Sequence, residues 1–459
     1  MTLRSSVAVG LAMMLGATGL AGCSRNSPTE PWPAIIDPVV FTDTFGSHVG
    51  FQAFGNSKLD ALSLDTAEKH SGTTSLKFTV PNPGDPSGGY AGGAFVASQA
   101  RSFTSYNALS FWVKASRAVI LETAGLGNDN TGTSKYDAKR SNIPVTTDWT
   151  QVLIPIPLPA RLTAEKGLFY LAEGPKNGTG LTLWVDDVQF VNDPSITNPR
   201  PLLTTQALTA LVGSTLDLAG TTATTFAIGA TDQTVTHMPG YFTYASSDPA
   251  VAGISNNVVR VLGSGSATVS AKLGAVDATG SVTVTAALPP ISAAPTPSVP
   301  TADVISLFSN AYPNISVDSW SKFGSAGITV EDFSIAGNAT KLYKKLNLGY
   351  VGVEFKTNEV DATTMTTFHM DVWASSGSLI RVKLVDFGAD GIFGGGNDTQ
   401  HELTFNASST PAFAPGAWVS LELPLDSFTG LTGRAHIAQL ILSSSDTPIV
   451  LVDNVYFHK

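Results

Sequence analysis

Three short apolar runs recur in the same order near both ends of this chain, and that repeat limits the folds open to it. The first copy reads ALSFWVKAS (Ala108–Ser116), DWTQVLIPI (Asp148–Ile156) and LWVDDVQF (Leu183–Phe190). The second reads TFHMDVWAS (Thr367–Ser375), AWVSLELPL (Ala417–Leu425) and VLVDNVYF (Val450–Phe457). Trp149 and Asp186 stand 37 positions apart, and Trp418 and Asp453 stand 35 apart. Ala115 and Trp149 are separated by 34 positions but Ala374 and Trp418 by 44, which fits a longer loop in the second copy around Asp386 to Gln400. Each run alternates apolar and polar positions and is rich in β-branched and aromatic residues, the period of a half-buried strand. No amphipathic stretch of helical length interrupts them.

Two segments poor in large apolar residues, Asn192–Pro201 (NDPSITNPRP) and Leu288–Thr301 (LPPISAAPTPSVPT), read as linkers. They divide the chain into units of 39–192, 202–287 and 302–459. The fold class expected is all-β, three sandwiches in a row. Glycine (43) and proline (27) suit many short strands joined by turns. With 14% charged and 43% hydrophobic residues, the chain is neither a disordered solvator nor a many-span membrane protein. A net charge of −10 and the lack of a basic run disfavour nucleic acid as a partner.

The single cysteine excludes a disulfide framework. It follows a positive residue, Arg4, and an uncharged apolar run, Val7–Leu20, of 14 residues. That run is shorter than the ~20 residues a membrane span needs and suits a signal peptide. The run ends in Leu20-Ala21-Gly22-Cys23, which resembles the lipobox of bacterial lipoproteins. The resemblance implies cleavage after residue 22, lipidation of Cys23 and a membrane anchor on the outer membrane, with residues 23–38 as a proline-rich tether.

The repeated pattern resembles the jelly-roll carbohydrate-binding modules with a galactose-binding-like fold. VISLFSNAY, KLVDFGADGIFGGGND and IAQLILSS in the third unit are similar to modules appended to glycoside hydrolase family 16 laminarinases. YAGGAFV, FWVKAS, GLGNDNTGTSKY and VDDVQF in the first unit resemble a second module of that kind. The middle unit, FTYASSDPAVAGISNNVVRVLGSGSATVSA (Phe242–Ala271), resembles the group 2 bacterial Ig-like domain, for which the family implies a spacer.

Catalysis has no support. A glycosidase needs two carboxylates; Glu359-Val360-Asp361 lacks the final acid of the ExDxxE strand, and the seven histidines are scattered. No HExxH, GxSxG or P-loop occurs. Sugar binding requires an aromatic plate and a few polar groups. Strand parity places Trp112 and Lys114 outward, together with His369, Asp371 and Trp373, and Arg381 and Lys383 in the following strand. Trp320, Phe323, Tyr343 and Tyr350 in the third unit are further candidates. In the first unit they are Tyr90, Asn128, Asp129, Tyr136 and Tyr170. Trp149, Trp184 and Trp418 match repeat positions and read as core.

The jelly-roll resemblance also implies structural calcium, held by Asp43 with Asp186 and by Asn310 with Asp453. The Asp386, Asp390 and Asp398 loop has the composition of a calcium turn without the EF-hand register. Together these readings describe a non-catalytic, lipid-anchored protein that captures a polysaccharide, a β-glucan such as laminarin, for glycan transporter or hydrolase proteins. The alternatives are an adhesin or structural envelope lipoprotein, and an accessory protein of a hydrolase system with little binding of its own.

Overall fold

The computed structural model describes residues 36–459. The signal segment, Cys23 and most of the tether, Trp32 included, lie outside the described residues. Those described form 32 strands and six short 3-10 turns, an all-β architecture. No helix among them is long and apolar enough to cross a membrane.

The first unit is two facing sheets. The back sheet runs Leu62–Asp65, Ser75–Val80, Leu181–Val191, Ala108–Ala115, Thr150–Pro155, with Val39–Phe41 also on Leu181–Val191. The front sheet runs Val49–Ala53, Ala91–Arg101, Glu165–Glu173, Val119–Leu126, Ala138–Val145. Between them Phe95 and Phe111 pack on Phe169, with ring centroids 5.5 and 5.1 Å away. Each such ring, fully buried, contributes roughly 1.5–3 kcal/mol.

The third unit repeats this order strand for strand. Its back sheet is Thr329–Ile335, Asn338–Lys344, Ile449–His458, Thr367–Ala374, Trp418–Pro424, with Val304–Phe308 on Ile449–His458. Its front sheet is Ser319–Gly324, Gly349–Glu354, Ile437–Ser444, Leu379–Asp386, Thr399–Asn406. The recurring VDD and VDN turn out to be the same bulge. Leu183 and Val185 point into the core, then Val188 and Phe190 do, so one extra residue is inserted at Asp186-Asp187. Asp187 and Asn454 take left-handed backbone there, with φ of 49° and 48°. Asp and Asn are the side chains that tolerate this best after glycine.

The segment Asn192–Pro201, expected as a linker, is half strand. Ile196–Leu203 pairs with Thr222–Ile228, which pairs with Thr231–His237, and that strand joins the first unit's front sheet at Lys139 and Ala138. It is the edge of the combined sheet, where Pro199 and Pro201 are tolerated because no neighbour requires their missing N–H. One apolar cluster extends from Val40 through Phe242 to Ala286, so the first and middle units share a core. The segment Leu288–Thr301 has no strand of its own and is strapped to the back of the third unit. Trp418 Nε1 donates to the Ser292 carbonyl, and Asn454 Nδ2 to that of Pro295, both at 3.0 Å.

Candidate functional site

The front sheet of the third unit carries the best-formed groove, about 790 Å³. Parity builds its floor. Ile380, Val382 and Leu384 are buried in the core, so Arg381 and Lys383 face outward. Registered partners share that face, giving two rows of side chains across the sheet. One row is Tyr350, Ser443, Arg381, Thr404; the next is Phe323, Gly352, Ile441, Lys383, Glu402. Phe323 lies flat over Gly352: a Cβ there would come within 2.2 Å of the ring. Tyr350 stands beside it, ring centroids 6.5 Å apart, and is 45% exposed. Phe393, in the long loop after Leu379–Asp386, forms a wall and is 59% exposed. Around these plates, Gln439 Nε2 donates to Glu354 at 3.2 Å and Arg381 Nε lies 3.8 Å from Glu402.

The first unit's front face has the same construction and a flatter surface. Its rows are Gln52, Ala94, Tyr170, Gly125, Lys139 and then Gly92, Ala172, Thr123, Ser141. Tyr170 covers Gly125 as Phe323 covers Gly352, with a Cβ at 125 meeting its ring at 2.5 Å. Its hydroxyl donates to Asp137 Oδ1 at 2.7 Å, and burial pushes both groups' pKa values up. Tyr90 sits over Gly92 and donates its hydroxyl to the Gly55 carbonyl. Asn128 and Asp129 are spent on their own loop: Asn128 Oδ1 accepts from the Asn130 amide, and Asp129 accepts from Thr131 and Ser134. Tyr136 packs edge-on against Tyr241, and its carbonyl accepts that residue's hydroxyl, so it serves the junction with the middle unit.

The tryptophans expected on the binding face are elsewhere. Trp373 is 4% exposed, packed with Leu211, Ile335, Leu342, Ile449 and Leu451 on the back of the third unit. Asp371 beside it is buried and accepts from Ser420 Oγ and Asn454 Nδ2. Thr367–Ala374 belongs to the back sheet and the next strand, Leu379–Asp386, to the front sheet, so Asp371 and Trp373 lie on the face opposite to Arg381 and Lys383. Parity holds within each strand, but the two strands lie in different sheets and their outward sides face opposite ways. Trp112 is likewise on the back sheet, stacked at 3.8 Å under the His70 ring. Lys114 pairs there with Glu68 at 2.7 Å, its ammonium over Trp184 and Trp149. Trp320 is wedged between Phe308 and Lys341 at the seam of the two sheets, and Tyr343, fully buried, donates to its carbonyl.

The carboxylates expected to hold calcium accept N–H donors in this structure. Asp43 accepts the amides of Thr73 and Thr74, while Asp186 accepts those of His70 and Ser71. Both carboxylates thus tie down one loop, His70–Thr74, through N–H donors. Asp453 accepts from Asn338 Nδ2 and the Asn454 amide, while Asn310 is exposed. Asp386, Asp390 and Asp398 each accept a nearby loop amide, from Gly388, Ile392 and Gly394. Among the described residues no group of three or more His, Cys, Asp or Glu side chains is placed to hold a metal ion.

Sequence reading missed Phe393, Gln439 and Glu402. The alternation of Thr399–Asn406 carried the signal for Glu402. Phe393 sits in an irregular glycine-rich loop, where no periodicity could point to it.

Two facing antiparallel sheets with an open, aromatic-lined front are the build of a jelly-roll binding module. Residues 37–192 match the family Carbohydrate binding domain 30, and the first unit is similar to that family over its whole length. The family 30 module of the cellulosomal cellulase Cel9D-Cel44B of Clostridium thermocellum is 17% identical, over 35% of this chain and 95% of that one, with a TM-score of 0.24. A family 11 module from Clostridium thermocellum, in complex with a β-1,3-1,4-mixed-linked tetrasaccharide, is 13% identical over 34% and 95%, TM-score 0.26. The tandem CBM22-1-CBM22-2 domain of Paenibacillus barcinonensis Xyn10C is 12% identical over 89% and 94%, TM-score 0.19. No curated protein matches the chain. The matches fall on carbohydrate-binding modules, and no catalytic domain is evident among them.

Proposed function

We propose that the chain is a non-catalytic glycan-capture protein, with the front faces of its two jelly rolls as the binding surfaces. The observation that carries this reading is the aromatic-on-glycine plate, found on both: Tyr90 on Gly92 and Phe323 on Gly352. A pyranose presents an apolar C–H face to such a plate, and flanking amides and carboxylates pair its hydroxyls. A β-glucan such as laminarin is the substrate proposed for the neutral face of the first unit. Lipidation at Cys23 would hold the protein on the outer membrane, where two weak sites on one chain gain avidity if a single polysaccharide reaches both.

Isothermal titration of the full chain without its signal segment tests the reading. Heat with laminarin or lichenan, weakened by Y350A and Y90A at unchanged circular dichroism, supports it. No heat with laminarin, lichenan or xylan removes it.

A further inference from the structure

The two front faces share a topology but not a charge. In the first unit the middle of the face is Tyr170, Gly125, Ala172 and Thr123, with Lys139 at the border strand. In the third unit the equivalent strand places Arg381 and Lys383 there, two positions and so about 7 Å apart along one strand. Carboxylates answer them only in part. Arg381 has Glu402 at 3.8 Å, and Glu354 is engaged by Lys322 at 3.3 Å and by Gln439. Lys383, half-buried, has no ion-pair partner within 4 Å among the described residues. Among the residues lining the groove, two cations, Arg381 and Lys383, face one carboxylate, Glu402, which leaves it positive on a chain whose net charge is −10. A partly desolvated ammonium without a counter-ion is unfavourable until a ligand supplies one.

We propose that the groove of the third unit binds an anionic polysaccharide, its carboxylate or sulfate ester held between Arg381 and Lys383 and its sugar rings on Phe323, Tyr350 and Phe393. The proposal rests on the reading of this face as a glycan site. It makes the protein a reader of two chemistries, a neutral chain at one end and a charged one at the other.

The test titrates the same full chain with oligogalacturonate, a sulfated galactan oligosaccharide and a laminarin oligosaccharide, at low and at physiological salt. Binding of either anionic probe that weakens with salt and falls about tenfold in R381Q/K383Q supports the proposal. E402Q, which removes the competing carboxylate, should tighten the anionic probe. The carboxylate and sulfate arms tell the two sources apart. Laminarin binding without binding of either anion overturns this proposal alone, as does anion binding indifferent to R381Q/K383Q. Silence with all three probes overturns the glycan reading with it.

Discussion

The first and third jelly rolls are one topology with two backs. In the third, the outer side of the back sheet is covered by the Leu288–Thr301 strap and by Leu211 of the middle unit, so Trp373 is core. In the first, the corresponding surface is roofed by its own loop, with His70 stacked on Trp112 and Lys114 over Trp149 and Trp184. Tryptophan in this repeat therefore belongs to the way each unit is closed or joined, and the smaller aromatics on glycine make the front. A tryptophan count is a poor guide to the binding face here.

Truncation of those tryptophans should split the two units most sharply. W373A empties a packed site and should cost about 3–5 kcal/mol. W112A removes a half-exposed ring held by one stacking partner and should cost about 1 kcal/mol. The two large cores, one for the first and middle units and one for the third, are joined only by the small cluster around Leu211 and Trp373, so calorimetry of the full chain should show two transitions. W373A should lower the transition of the third unit by many degrees and W112A the other by only a few. Equal shifts would mean that both backs are sealed alike.

How much of this was legible follows from which rules are local. Strand parity is local, and Arg381 and Lys383 stand outward because Ile380, Val382 and Leu384 fill the core. The repeat also carried topology, since VDD and VDN mark the same bulge in the same central strand. Sheet membership is not local. Nothing in HMDVWAS tells whether the next strand lies beside it or across the core, and the binding face was mixed from both sides. Ile196–Leu203 misled for a similar reason. Its prolines look like a linker until the strand is known to be an edge, which only the tertiary pairing decides.

Protonation should separate the units next. In the third, burial and the neighbouring Asp371 push Asp453 up to about 6. Burial works against the His369 imidazolium, but Asp371 and Glu422 outweigh it and raise its pKa. Both groups bind protons more readily folded than unfolded. Their contribution is present at low pH and is lost as pH rises, through about 6 for Asp453 and above 6.5 for His369. In the first and middle units the shifts oppose. Burial and Asp129 raise Glu165 to about 7, and its contribution is lost as pH rises through that value. Burial lowers His237 to about 4, and its contribution is lost as pH falls from 6.5 toward 4. From pH 8 to pH 5 the third unit's transition should climb by several degrees, at roughly 2–4 °C per kcal/mol, while the other moves little. H369Q should blunt the climb above pH 6.5. A parallel rise of both transitions would break the contrast.

The smallest effect expected is none. The closing bulges of both units look alike in sequence, and a cation at one would argue for a cation at the other. Yet Asp43 and Asp186 spend their oxygens on the amides of Thr73, Thr74, His70 and Ser71, and an N–H points its positive end where a metal would sit. In the third unit Asp453 is paired by Asn338 and the Asn454 amide. Chelation with EDTA followed by excess calcium should leave both melting transitions where they were. A calcium-dependent rise in the first transition alone would put the ion between Asp43 and Asp186 and require the His70–Thr74 loop to turn its carbonyls inward. A rise in both would restore the metal as a shared feature of the repeat.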